Sequence, residues 1–154
     1  AVATVQEEIG GGAGGGARTS AFGLEPDVAL VVDVTFSTDV PDIEKKLLGE
    51  HSLGGGPVLS RGSAAHPVVF ERLVEVAEAE DIPHTIQAAA RSTRTDADSI
   101  YLTRSGVPTG LVSVPNRYMH SPNEIVSLSD LESTARLLAA FVASLDGDTD
   151  FTPR

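Results

Sequence analysis

The chain has 154 residues, of which 41% are hydrophobic and only 5% aromatic, with no Cys and a net charge of −11. This length suits one domain with an aliphatic core. The lack of Cys excludes disulfides and thiol chemistry. The negative charge argues against nucleic acid or an anionic membrane as a partner, since both require Lys and Arg. The apolar runs are too short to cross a bilayer, and no basic segment precedes one as in a signal peptide, so we expect a cytoplasmic protein.

The pattern of apolar residues predicts strands and helices in alternation. Residues 2–8 are expected to form a strand, residues 10–17 a mobile glycine loop and residues 17–24 a short helix. Residues 27–35 are expected to form a strand buried on both faces, and residues 57–60 a short strand. Pro67 favours the start of a strong helix over residues 66–81. A strand at 82–90, a helix at 95–106, a strand at 107–115 and a loop at 115–126 follow.

The last helix is expected over residues 130–145, behind a capping box formed by Ser129 and Glu132. Its predicted apolar stripe consists of Leu131, Ala135, Leu138, Val142 and Leu145. A frayed tail follows. Strands that alternate with helices predict an α/β fold, a three-layer α/β/α sandwich with a mainly parallel sheet.

Acidic and imidazole side chains fall near the ends of three predicted strands. Glu7 and Glu8 end the first strand, Asp33 lies in the second, and His120 follows the strand at 107–115. In an open parallel sheet, ligands bind outside the carboxyl ends of the strands. Carboxylate and imidazole together suit zinc, cobalt or manganese. Adjacent residues of an extended chain point in opposite directions, so one Glu could bind metal while the other takes a proton from water.

Each of these features has a simpler interpretation. A Glu pair is usually a solvated surface feature, and a lone loop His is usually structural or exposed. Asp33 stands apart because a buried carboxylate without a partner is costly. The tract "GGGAGGGA" can be parsed as a dinucleotide-binding G-x-G-x-x-G, but in so glycine-rich a segment the match is nearly automatic. Two carboxylates before the tract would also repel a pyrophosphate, so a flexible loop is the preferred interpretation.

Several segments together resemble the M42 family of metalloaminopeptidases over residues 2–145. They are "TVQEEIG", "LVVDVTFSTDVP", "GGGPVLSRGS" and "TDADSIYLTRSGVPTGLVSVPNRYMHSPNEIVSLSD". The family includes glutamyl aminopeptidases, deblocking aminopeptidases and the tetrahedral TET peptidases, and some members are named endoglucanases. The resemblance implies hydrolysis of N-terminal peptide bonds by two divalent metal ions, zinc or cobalt, in a homo-oligomer.

The resemblance also implies a role for each candidate residue. Glu7 corresponds to the general base, Glu8 to a ligand of one ion, Asp33 to a ligand of the other, and His120 to the ligand that partners Glu8. Asp96 lies in the Thr-Asp-Ala motif of the family, and no role is assigned to it.

The chain departs from the family in lacking the N-terminal part, which supplies a metal-binding His, a bridging Asp and a dimerisation domain. We therefore expect residues 1–146 to be the C-terminal part of a catalytic domain, an incomplete sandwich, followed by a tail at 147–154. The missing half would be a partner, with peptides as substrates and neither nucleic acid nor membrane involved. Two alternatives are a non-catalytic fragment or pseudo-enzyme that acts only in assembly, and a cellulase. The second lacks support because the chain has no Trp to stack on sugars, and its acids come with a His.

Overall fold

The structure is a computed structural model of the chain and describes residues 1–10, 15–62 and 64–152. The helices are α1 (Glu7–Gly10), α2 (Gly15–Leu24), α3 (Lys45–Leu48), α4 (Pro67–Ala79), α5 (Ala97–Ile100) and α6 (Leu128–Ala143). The strands are β1 (Ala29–Phe36), β2 (Val58–Arg61), β3 (Thr85–Ala88), β4 (Thr109–Arg117) and β5 (Ile125–Val126). Most of the predicted elements are present, although α5 is a single turn rather than the longer helix expected at 95–106.

The strands form one mixed sheet in the order β1-β4-β2-β3, with β5 paired to the end of β4. Strands β1 and β4 are parallel, with Asp33 beside Ser113, and β2 and β3 are parallel to each other. The two pairs run in opposite directions, because β2 and β4 are antiparallel. The predicted α/β fold class is confirmed.

Apolar residues cover both faces of the sheet. Helices α4 and α6 pack against each other and against β4 on one face. The side chains buried there include Leu59, Val69, Leu73, Val112, Leu137 and Phe141. On the other face, Val31 and Leu111 pack with Ala64 and Ala97. Leu111 and Val112 are consecutive in β4 and belong to opposite faces, as the alternation of a strand requires. The predicted three layers are therefore present.

The strand predicted at residues 2–8 is absent. The alternating sequence "AVATVQ" favours an extended strand, but no strand is assigned among residues 1–6, and Glu7–Gly10 form the helical turn α1. Gln6 lies between them with φ of 66°, in the left-handed region. A residue in that region departs from the extended backbone of a strand, so a strand cannot continue through Gln6.

The apolar stripe predicted for α6 is only partly correct, because Leu138 and Leu145 pack against the main core but Leu131, Ala135 and Val142 are exposed. Leu131 and Val142 are 43% and 62% exposed, whereas Leu137 and Phe141 are fully buried. The buried face also contains the polar residues Asp130 and Thr134. The capping box does not form either. The helix is capped at Ser127 without a side-chain cap bond, and the hydroxyl groups of Ser127 and Ser129 bond each other at 2.7 Å.

Strand β1 is not buried on both faces as predicted. Val31 is 7% exposed, but Val32, on the opposite face, is 51% exposed. The tail also differs from the frayed segment expected, because Phe151 packs against the main core.

The mobile glycine loop is predicted at residues 10–17. Residues 11–14 of this segment lie outside the described residues, and Gly15 already belongs to α2. In the described ranges, no helix is both long and apolar enough to traverse a bilayer.

Candidate active site

Four candidate residues from three separate segments line one cavity of about 460 Å³. They are Glu7 and Glu8 from α1, Asp33 from β1, and His120 from the loop after β4. Polar side chains of the strands share the wall, among them Thr35 and Gln87, whose side chains bond each other at 2.9 Å. The sequence prediction thus names residues that the fold brings to one place.

The N-terminal segment delivers Glu7 and Glu8 to the cavity. The peptide oxygen of Val5 accepts a hydrogen bond from Gly16 at 2.9 Å, which ties the segment to α2. The hydroxyl of Thr4 donates to the carboxylate of Asp96, beside α5. These contacts fix the segment at both sides, so α1 begins at the rim of the cavity. The acids therefore lie in the first turn of a short helix rather than at the end of a strand.

Asp33 reaches the cavity from the middle of β1. Its Oδ1 accepts a hydrogen bond from the next peptide nitrogen, that of Val34, at 2.7 Å. Burial raises the pKa of Asp33, and the negative charges of Asp96 and Glu8 raise it further, although the bond from Val34 opposes the shift. The carboxylate is thus held in an environment that disfavours its charge, and a bound cation would relieve that penalty.

The side chains of His120 and Glu8 are in direct contact. The Nε2 atom of His120 lies 3.3 Å from Oε2 of Glu8, and both side chains are largely exposed. His120 has φ of 66°, and its peptide nitrogen donates to Glu124 at 2.6 Å. An imidazole nitrogen and a carboxylate oxygen therefore converge on one point at the mouth of the cavity.

The environment of Glu7 suits a proton acceptor. Burial raises its pKa, and the charges of Asp33, Glu8 and Asp96 act in the same direction, against a smaller opposing effect of His120. A carboxylate with a raised pKa is a stronger base near neutral pH than an ordinary surface Glu.

The candidate side chains are of types that bind metal ions, but in the described part of the chain they do not form a complete metal site. Within residues 1–10, 15–62 and 64–152, no group of three or more His, Asp or Glu side chains is arranged to hold an ion. The pair of Glu8 and His120 fits one ion, since carboxylate and imidazole are ordinary zinc ligands. Asp33 supplies a separate carboxylate on the same cavity.

Residues 1–137 match the M42 glutamyl aminopeptidase family. The chain belongs to this family. The predicted resemblance is confirmed. As an M42 chain it is related to hydrolases that remove residues from the amino end of peptides, and the candidate residues lie within the matched range.

Similar proteins support the assignment. A lysyl aminopeptidase of Pyrococcus furiosus is 39% identical over 152 residues, covering 99% of this chain and 42% of the relative. A TET aminopeptidase from a marine-sediment Thaumarchaeota archaeon is 34% identical with a TM-score of 0.86, covering 95% of this chain and 40% of that one.

The TET1 peptidase of Pyrococcus horikoshii, which can assemble into a tetrahedron or a large octahedral shell, is 29% identical with a TM-score of 0.70, covering 92% and 40%. Chains named endoglucanases also match. This chain spans about 40% of the length of the relatives it matches.

Two further carboxylates contact or influence the candidate residues, and the sequence prediction gives neither of them a role. Asp96, to which no role was assigned, bonds Thr4 and contributes to the raised pKa of both Glu7 and Asp33. Glu124 bonds the backbone of His120. The only sequence signal for Glu124 is its position four residues after His120, which does not distinguish it from any other loop acid.

Another histidine, His51, has a structural role. Its Nε2 lies 2.7 Å from the peptide oxygen of Leu48 and its Nδ1 lies 2.7 Å from the hydroxyl of Thr85. Because a peptide oxygen only accepts, Nε2 carries the proton and Nδ1 accepts from Thr85. Burial lowers the pKa of His51, so the neutral ring is favoured.

Proposed function

We propose that this chain is the part of a metal-dependent aminopeptidase that carries its general base and three of its metal ligands. The observation that carries the proposal is the convergence of Glu7, Glu8, Asp33 and His120 on one cavity, with Glu8 and His120 in contact. Membership of the M42 family supplies the reaction class.

The proposed roles are those that the M42 resemblance implies, and the shared cavity supports them. Glu8 and His120 would hold one ion, and Asp33 would bind the other. Two such ions, zinc or cobalt, supply Lewis-acid activation and hold the reactants in place. Glu7 accepts a proton from the attacking water, whose oxygen forms a bond to the carbonyl carbon of the first peptide bond. As the carbon–nitrogen bond breaks, Glu7 returns the proton to the leaving amine.

The missing ligands are the second element of the proposal. Zinc sites in enzymes use at least three protein ligands, and the pair of Glu8 and His120 supplies two. We propose that the remaining donors come from protein that these 154 residues do not contain, which fits the 40% share of the relatives that the chain spans. The isolated chain should therefore bind divalent metal weakly and hydrolyse no peptide. Co-expression with the complementary half of a relative should restore both.

The same proposal extends to assembly and location. Because the TET1 peptidase of Pyrococcus horikoshii can assemble into a tetrahedron or a large octahedral shell, we propose that the complete protein forms a homo-oligomer that acts on peptides in the cytoplasm. A non-catalytic role in assembly is the main alternative, and it predicts metal-independent association without turnover. A cellulase is a weaker alternative that rests on the names of some matching structures.

The decisive experiment compares two substitutions in the full-length protein that carries this chain. Glu7→Gln removes the base but preserves size, so metal content should stay unchanged while kcat falls by about 10²–10⁴-fold. His120→Ala should instead lower the metal content. Glu75→Gln, an exposed Glu of α4, is the matched control and should change neither. Near-normal turnover of Glu7→Gln would show that Glu7 is not the base, and unchanged metal content of His120→Ala would contradict the ligand assignment.

A further inference from the structure

The loop that presents His120 is built around the carboxylate of Glu124. Oε1 of Glu124 accepts the peptide N–H of His120 at 2.6 Å, and Oε2 accepts the side-chain amide of Asn116 at 2.8 Å. Asn116 is 2% exposed and lies in β4, where it pairs with Phe36 of β1 and Val126 of β5. Glu124 thus connects the backbone of His120 to a buried and fixed position of the sheet.

The backbone of this loop requires such support. Tyr118 has φ of 61° and His120 has φ of 66°, so two non-glycine residues lie in the left-handed region within three positions. Residues adopt this conformation at an energetic cost and keep it only when the surrounding structure holds them there. The imidazole ring cannot stabilise this backbone conformation by packing, because the side chain of His120 is 63% exposed. The loop is also closed by a hydrogen bond from the peptide of Ser121 to the peptide oxygen of Tyr118 at 3.0 Å. The bond to Glu124 is the one that ties the peptide of His120 itself to a side chain anchored on the sheet.

We propose that Glu124 is a positioning residue that fixes His120 in the orientation in which it binds metal beside Glu8. This inference rests on the ligand role proposed for His120. It assigns Glu124 no contact with metal or substrate, because both of its carboxylate oxygens are engaged by Asn116 and His120. A ligand held in place by an outer carboxylate binds more tightly because less order must be imposed when the ion arrives.

The test compares three substitutions of Glu124 in the full-length protein. Glu124→Ala removes both acceptors. Glu124→Asp keeps the charge but is one methylene too short to span both partners. Glu124→Gln keeps the length, so its amide oxygen can accept from His120 while its nitrogen donates to Oδ1 of Asn116 after that side chain rotates. This rotation is feasible because Oδ1 of Asn116 is buried without a hydrogen-bond partner among the described residues. Glu132→Ala, an exposed Glu of α6, is the control.

Hydrogen–deuterium exchange of residues 118–123 in metal-free protein is the first measurement, because it reports on the loop independently of metal and of activity. Exchange should accelerate in Glu124→Ala and Glu124→Asp, and stay close to the parent in Glu124→Gln. The affinity for zinc, measured by competition with a chelator, should fall by about 10- to 100-fold in the first two variants, as for other outer-shell partners of metal ligands. The conservative variant Glu124→Gln should recover most of that affinity, and kcat should follow the same order.

His120→Ala separates the two proposals. If it lowers zinc affinity while Glu124→Ala and Glu124→Asp bind zinc like the parent, the positioning role is overturned and the proposed function stands. If His120→Ala binds zinc like the parent, the ligand role of His120 is wrong, and the positioning role is overturned with it. If Glu124→Ala fails to fold, as judged by circular dichroism, Glu124→Asp and Glu124→Gln decide: equal zinc affinity of these two variants would contradict the proposal.

Discussion

Asp130 is a buried carboxylate that joins helix α6 to the glycine turn before β2, and its removal should destabilise the fold strongly. The side chain is 1% exposed. Its Oδ2 accepts the peptide N–H of Gly54 at 2.8 Å, and its Oδ1 accepts that of Gly56 at 2.9 Å. It also lies in the first turn of α6, where the helix dipole favours a negative charge.

The magnitude follows from these contacts. Substitution Asp130→Ala breaks both hydrogen bonds and leaves two peptide donors unpaired at a buried site. A hydrogen bond to a charged group contributes about 1.5–3 kcal/mol, so two of them give about 3–6 kcal/mol. We expect a loss of about 4 kcal/mol, a large share of the roughly 5–15 kcal/mol by which domains are stable.

Urea denaturation followed by circular dichroism at pH 7 measures this loss. With a typical slope of about 2 kcal/mol per molar urea, the midpoint of Asp130→Ala should fall by about 2 M. Asp130→Asn keeps one acceptor and should lose about half as much. Ser129→Ala, at the neighbouring position, should stay close to the parent. A midpoint for Asp130→Ala within about 0.3 M of the parent, at an unchanged slope, would refute the reasoning.

Three further predictions concern charge and backbone geometry. Burial raises the pKa of Asp33 in the folded state, so the metal-free fold loses stability as the pH rises from the ordinary pKa of an Asp, about 4, to the raised value. Asp33→Asn should therefore raise the urea midpoint in EDTA at pH 7 and lose this advantage below about pH 4. A lower midpoint of the variant at pH 7 would contradict the account. The guanidinium of Arg117 is the main cause that lowers the pKa of Asp39 in the folded state. Asp39→Asn should therefore destabilise the fold at pH 7, and the difference in stability between parent and variant should shrink as the pH falls below about 4. A difference in stability that persists in acid would exclude this cause. Gly54 and Gly56 both have φ of 83°, but a Cβ on Gly56 would lie 1.8 Å from the peptide oxygen of Pro83, whereas one on Gly54 would meet nothing within 4 Å. Gly54→Ala should therefore lower the urea midpoint by the equivalent of about 1 kcal/mol and Gly56→Ala by much more, and equal midpoints would argue against the close contact.

Helix α4 shows what the sequence determines on its own. Pro67 marks its start, and its apolar residues at helical spacing, Val69, Leu73, Val76 and Ala77, are all buried. The helix packs an ordinary apolar face against the sheet, so the spacing of its apolar residues is sufficient to predict its register. The face that the sequence spacing predicts to be apolar is the face that the fold buries.

Helix α6 shows where such a prediction fails. Leu131 and Val142 are the more apolar choices for a buried face, yet Asp130 and Thr134 are buried instead. The carboxylate of Asp130 can be buried because the peptide groups of Gly54 and Gly56 satisfy it. Those donors are more than seventy positions away in the sequence. The spacing of residues within the helix therefore cannot predict this contact. The buried face of α6 thus combines Leu137 and Phe141 with a polar contact to a distant segment.

The strand-end rule accounts for only part of the candidate site. The strand-end rule placed three groups at one edge of a parallel sheet, but of these only His120 follows a strand, whereas Asp33 lies in the middle of β1 and the two acids begin α1. Their convergence depends on left-handed residues, Gln6 before the acids and His120 itself in its loop. Side-chain type predicts this conformation poorly outside glycine, because neighbouring contacts impose it. The chemistry of the donors could therefore be predicted from the sequence, while the turns that bring them together, and the bond from Glu124 that holds one of them, depend on the fold.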